Sequence, residues 1–322
     1  MTYQTGTATS LADLVTQLFT FATGTPGWTQ DQLATGSGQA ALHKSNTFVS
    51  FRWDTGTPLA LGLYQALGYT GGNQPGNHPS DSGYGGVGST NAAITPGRCV
   101  NDLGNAGSIP YYFFGTGSYI HVVVERATDI FRHFGFGVLD KVGNWTGGEY
   151  CYGMSWASTG AIGTTTAVGL DGLFSDVSNR TRAATLHVEG LPGEGGASKW
   201  MELSDNNNAP GNDRGGNAVI LGHGGFRGGP VARHFGHYFG GNTNGLIPMY
   251  PIGQFYRRIS TSDAYFLGFQ PDVRGCNIHF INARDEITIG SDVWKFFPLS
   301  QKTLSAVADR SYYSGIAYKK VP

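Results

Sequence analysis

The side chains best suited to chemistry in this sequence gather in HGGFRGGPVARHFGHYFGG (residues 223–241). His234 and His237 stand three apart, with His223 and Asp213 upstream. Neutral imidazoles are good nitrogen donors to zinc and related ions. A three-residue spacing puts two ligands on one side only in a helix, and Gly236, Gly240 and Gly241 oppose a helix here. No HExxH motif and no paired cysteines accompany them. The expectation is loop histidines among aromatics, with no metal and no cofactor.

Nucleophiles are similarly weak. Gly153-Met154-Ser155-Trp156-Ala157 falls one residue short of the GxSxG elbow and follows a strand instead of leading into a helix. Cys151 has His121 and His133 as candidate neighbours across a sheet, although a lone cysteine in a β-rich core is ordinarily an inert small hydrophobe. Asp140 and Glu149 flank one turn and are the candidate carboxylate pair for glycoside cleavage. Trp145 and Tyr150, if exposed, offer faces for stacking on a sugar ring, which makes glycan contact the binding alternative. No GxGxxG or GxxxxGK[ST] motif supports nucleotide binding. The sequons at Asn144 and Asn179 carry little weight without a secretory leader. No catalytic, cofactor-binding or metal-ligating residue is therefore assigned, and the expectation is a protein that is not an enzyme.

The elements that would position these residues are mostly strands. In HFGFGVLDKVGNWTGGEY (133–150), Phe134, Phe136 and Val138 fall on one face. His133, Gly135, Gly137 and Leu139 fall on the other, the period of a half-buried strand. IHVVVER (120–126) alternates as well, and ATDI makes a connection of hairpin length. Strands are expected again at 109–114, in AYFLGFQP, in GCNIHFINARDEITIGSDVWKFFP with a hairpin at NARDE, and in SYYSGIAYKK. SLADLVTQLFTFATG (10–24) is the clearest helix, with Leu11, Leu14, Val15, Leu18, Phe19 and Ala22 in one stripe between a Ser10 cap and a Gly24 stop. TPLALGLYQALG (57–68) reads as a second helix, with Thr57 as cap and Pro58 in the first turn.

The fold expected is mainly β: an antiparallel sandwich or meander with a small N-terminal α/β portion and long glycine-rich loops. Residues 1–70 form a helix–strand–helix portion, 71–107 a glycine-rich loop or linker, and 108–322 the main β domain, with a second open region over 189–246. The 51 glycines and a charged fraction of 13%, about half the usual ~25%, suit contacts with neighbouring subunits better than a solvated monomer surface. A net charge of −1 without a basic block speaks against nucleic acid. No apolar run reaches the ~18–20 residues of a membrane span. The opening MTYQTGTATS lacks a basic and then apolar leader. Cys99, Cys151 and Cys276 read as reduced thiols of a chain folded in cytosol.

Three stretches carry a resemblance. Pro26-Gly27-Trp28-Thr29 follows the first helix, HFGFGVLDKVGNWTGGEYCYG lies in the middle, and ITIGSDVWKFFPLSQK with SYYSGIAYKK closes the chain. Together they resemble a group of virion structural proteins of tailed bacteriophages. The segments 71–107 and 189–246 have no counterpart in that pattern. The resemblance implies a non-enzymatic subunit of a phage particle, folded in the host cytoplasm and placed at the tail tip or baseplate. A carbohydrate- or receptor-binding module of the particle is the alternative, and a collar, neck or capsid-decoration position is a further one. Its partners would be copies of itself, in a ring or trimer, and other virion proteins.

Overall fold

The first helix forms where its stripe places it. Ser10 caps it, its hydroxyl accepting from the Asp13 amide at 3.1 Å, while the Asp13 carboxylate accepts from the Thr9 amide at 2.8 Å. The two side chains thus satisfy amides that the first turn leaves open. That hydrogen bond from Thr9 is the main reason the Asp13 carboxyl titrates below its usual range. Gly24 ends the helix, its amide reaching the carbonyls of Thr20 and Phe21. The stripe from Leu11 to Ala22 is buried.

The computed structural model describes residues 2–53, 60–73, 75, 78–79, 99–103, 107–153, 184–189, 200–202, 249–257, 264–299 and 314–320. Its elements are β1 (Thr2–Ala8), α1 (Leu11–Thr23), β2 (Thr29–Ala34), β3 (Gln39–Lys44), β4 (Thr47–Trp53), β5 (Ala60–Ala66), β6 (Cys99–Asp102), β7 (Ile109–Gly115), β8 (Tyr119–Ala127), β9 (Ile130–Val138), β10 (Asp140–Lys141), β11 (Thr146–Tyr152), β12 (Ala184–Glu189), β13 (Trp200–Glu202), β14 (Met249–Arg257), β15 (Ala264–Asn277), β16 (Glu286–Ile289), β17 (Asp292–Pro298) and β18 (Ser314–Lys320). A short 3-10 turn, Thr35–Ser37, lies between β2 and β3.

The fold is mainly β and antiparallel, and the described strands form three sheets. The first sheet runs β2-β3-β4-β5-β6, the central sheet β1-β7-β8-β9-β11-β12-β13, and the third β10-β15-β18-β17-β16 with β14 on β15. One core cluster joins α1 and the first sheet to Phe113, Val122, Phe134, Phe136 and Cys151 of the central sheet. A second joins the opposite face of the central sheet, through Phe114, Phe131, Tyr150 and Tyr152, to Leu267, Phe297, Ile316 and Tyr318 of the third. The central sheet is therefore buried on both faces. The half-buried strand expected at 133–139 is buried throughout most of its length.

Three local expectations change. Residues 60–66 form β5, where a second helix was expected. All of Leu61–Ala66 is buried, and a strand covered on both faces gives an unbroken apolar run that periodicity cannot separate from a buried helix. Residues 99–102, expected in a loop, form β6 and pair with β5. The hairpin expected at NARDE lies instead at Gly290-Ser291, where β16 pairs with β17 from Ile289↔Asp292 to Glu286↔Lys295. Gly290 supplies the positive φ of 64° that a tight two-residue turn needs at its first position.

Glycine has a specific use in HFGFG. Gly135 pairs with His121 on one side and Tyr152 on the other. A Cβ there would meet the Ile120 carbonyl and the Tyr152 ring, both at 2.7 Å. The missing side chain lets the two flanking rings meet across β9. Gly135→Ala should therefore lower stability by about 2 kcal/mol or more, from overpacking against backbone. The check is the urea unfolding midpoint against wild type.

Candidate functional site

A buried polar grouping lies between the central and third sheets. His121 and His133 are fully buried there. The His121 Nε2 faces the Pro271 carbonyl at 2.9 Å and its Nδ1 faces the Tyr152 hydroxyl at 2.9 Å. The His133 Nε2 faces the Pro298 carbonyl at 2.9 Å and its Nδ1 the Tyr318 hydroxyl at 2.8 Å. A carbonyl only accepts, so each Nε2 carries the proton and each Nδ1 accepts from a phenol. The two phenols also lie within electrostatic reach of each other, and burial raises the pKa of both.

Local backbone features supply the two carbonyls. Between Pro251↔Arg274 and Gly253↔Phe269 the β14–β15 register slips, and residues 270–273 of β15 lie opposite Ile252 alone. Asp272 takes a positive φ of 51° in that bulge. Strand proline belongs at such a bulge, since it has no amide for the ladder. The bulge presents the Pro271 carbonyl to His121 and the Asp272 carboxylate to the Tyr119 hydroxyl. Pro298 ends β17 and presents its carbonyl to His133. Burial holds both histidines down to a pKa of about 4, with the Pro271 and Pro298 carbonyls opposing.

The candidates raised by the sequence separate on this frame. Cys151 pairs with Phe136 and faces the first core cluster, whereas His121 and His133 face the second. A Cys–His pair is thus ruled out by alternation along adjacent strands. Glu149 and Asp140 each engage other groups. Glu149 holds His187 at 2.7 Å; burial, and after it the charge of Asp272, raises the Asp140 pKa. Trp145 is 6% exposed and donates to the Val142 carbonyl, and Tyr150 is 0% exposed. Neither offers a face to a sugar. Asp213, Ser155, His223, His234, His237 and Asn179 lie outside the described residues.

Sequence reasoning missed His187. Its Nδ1 reaches Glu149 on β11 at 2.7 Å and its Nε2 reaches Glu189 at 2.9 Å. With a carboxylate on each nitrogen, both nitrogens donate and the ring is an imidazolium. Burial lowers its pKa, but the two glutamates outweigh burial and the net shift is upward. The alternation of His187 and Glu189 on one face of β12 was the available signal; the pairing with Glu149 came only from the sheet.

Among the described residues no group of three or more His, Cys, Asp or Glu side chains is placed to hold a metal ion, and no helix is long and apolar enough to cross a membrane. A scan against known protein families finds no match. A search of curated proteins finds none either.

Two pH effects of opposite sign follow. His121 and His133 titrate near 4 in the fold, against 6.5 when unperturbed. Their contribution is complete above about pH 6.5 and is lost as pH falls toward 4, by about 3 kcal/mol for each. His187 is raised from 6.5. Its contribution is complete below about pH 6.5 and is lost as pH rises through the raised value. Denaturant midpoints measured from pH 4 to 9 should show His187→Gln costing about 2 kcal/mol at pH 5.5 and less at pH 9. A His121→Gln/His133→Gln double variant should flatten the acid limb.

Proposed function

We propose that this chain is a non-enzymatic structural subunit of a phage particle, placed at the tail tip or baseplate and acting by assembly with neighbouring copies and other virion proteins. The observation that carries it is how the candidate chemical side chains within the described residues are used. Cys151, His121, His133, Glu149, Trp145 and Tyr150 each hold one strand or layer to another. Such a body has the rigidity that a particle component needs.

Two further features support the reading. The stretches that resemble virion proteins coincide with framework. HFGFGVLDKVGNWTGGEYCYG spans β9 to β11, and ITIGSDVWKFFP is the β16–β17 hairpin. The β16 strand ends the third sheet with all four residues exposed, Ile287 at 37% and Ile289 at 51%, and Phe280 nearby in sequence is 60% exposed. Among the described residues no strand pairs with the outer edge of β16, and such an edge with apolar side chains suits strand addition by another subunit.

The test is quantitative peptide mass spectrometry of purified particles, with copy number scaled to the major capsid protein. A fixed small multiple of three or six is expected. A copy number in the hundreds would move the chain to the capsid surface, and absence from particles would overturn the structural role. In parallel, Asp140→Ala and Glu149→Ala should leave any lysis of cell-wall preparations by the lysate unchanged.

A further inference from the structure

The strand that ends the third sheet has its bonding positions fixed by the turn beside it. Ile289 and Asp292 flank the turn Gly290-Ser291 and pair across it, and Phe296 on β17 donates to the Asp285 carbonyl at 2.9 Å. Residues 285, 287 and 289 therefore direct their main-chain groups to β17. Alternation turns those of Glu286 and Thr288, and the Gly290 amide, outward. A Cβ at Gly290 would meet nothing within 4 Å, so the backbone there is open to approach.

The usual guards of a sheet edge are missing from β16. It has no lysine and no proline. Its one charge is drawn back into its own sheet, where Glu286 accepts from Lys295 at 2.8 Å and from Lys320 at 3.0 Å. Ile287 pairs with Trp294 and so shares its face. Trp294 belongs with Cys276, Phe296 and Ala317 to a third core cluster, on the opposite side of the sheet from Phe297 and Tyr318. Ile287 and Ile289 carry that apolar face out to the last strand, where both are exposed.

We propose that β16 pairs with β16 of a second copy of this chain, antiparallel about a two-fold axis at Thr288, joining two third sheets edge to edge. An isologous contact presents one patch to itself, so its sequence must suit both directions. Ile287, Thr288 and Ile289 read the same either way. With the axis at Thr288, the outward main-chain groups of the two Thr288 residues bond each other, and each Gly290 amide donates to the Glu286 carbonyl opposite. Each Ile287 meets an Ile289 of the other copy on one face, which continues the apolar layer from one molecule into the next. Each Glu286 lies opposite glycine, so no like charges are opposed. An axis at Ile287 would instead set each Ile289 against Asp285. The proposal names the occupant of the open edge and rests on the reading of that edge given above, but it applies to the free chain wherever the chain is placed.

Sedimentation of the full chain across a micromolar concentration series tests it. One short strand per copy is a small contact, so a weak dimer that fills at the upper end of the series is expected. Amide hydrogen exchange over the same series supplies the register: Glu286, Thr288 and Gly290 should slow as the dimer fills, while Ile287 and Ile289, already bonded to β17, should not change. Thr288→Pro removes an amide that β17 does not use and should leave a folded monomer. Ile287→Lys/Ile289→Lys sets lysines against each other and should weaken the dimer about tenfold or more; if the proline variant does not fold, this one decides. A wild-type chain that stays monomeric, a dimer that leaves those three amides unchanged, or one that survives both variants would overturn the proposal. Slow exchange at all three in the monomer would also overturn it, by showing that the chain covers its own edge. A monomer in solution that is nonetheless found at fixed copy number in particles would remove this contact and leave the particle role standing.

Discussion

A sheet covered on both faces leaves no side for polar groups to meet water, and everything in this protein follows from that constraint on its central sheet. Each polar side chain that β8, β9 or β11 turns inward has to find a partner in the adjoining layer, because an unpaired buried polar group costs kilocalories. His121 and His133 find peptide carbonyls in the third sheet and phenols beside them. The layers are thereby fixed in register by directional bonds, which apolar packing alone would leave free to slide.

The two inter-sheet layers divide the work. The layer beneath the first sheet is almost wholly apolar and takes the stripe of α1, the tilted pair Phe21 and Phe113, and the edge-on pairs Phe19–Phe51 and Phe51–Phe136. The layer beneath the third sheet mixes aromatics with the histidine–tyrosine pairs. There Tyr318 lies parallel to Phe114 at 5.0 Å and to His133 at 5.8 Å. At its margin Arg284 reaches from the third sheet to Glu125 and Asp129 of the β8–β9 hairpin, at 2.7 and 2.8 Å. Lys295 and Lys320 share Glu286 and sit over the Tyr3 ring of β1. These marginal ion pairs are partly exposed and contribute specificity of docking more than stability.

The glycines and bulges serve the same constraint. Gly135 and Gly137 alternate on β9, and each lies between two rings on the neighbouring strands: His121 and Tyr152 beside the first, Tyr119 and Tyr150 beside the second. Small residues between large ones let side chains from β8 and β11 converge above β9. The bulge at 270–273 does the converse in the facing sheet, pushing a carbonyl and a carboxylate out of the ladder toward those side chains. Neither device is a defect of its strand; each supplies a partner that a regular ladder would withhold.

The sequence by itself determined what depends on local pattern. The stripe from Leu11 to Ala22 with Ser10 and Gly24 defined α1, and the alternation in IHVVVER and HFGFGV defined the β8–β9 hairpin, because period and capping are written in neighbouring residues. It also indicated the β-rich class. Tertiary structure decided what depends on coverage and on partners far away along the chain. The apolar run at 60–66 became a strand because the sheet buries both its faces, and β1, which offers little apolar alternation, became a strand by pairing with β7 over seven residues. Most of all, the His121–Tyr152 and His133–Tyr318 pairs join positions up to 185 residues apart. No spacing rule reaches that far. Alternation could place Cys151 and the histidines on faces within their own strands, but only the register between strands decided that those faces are opposite, because a shift of one residue reverses every side chain.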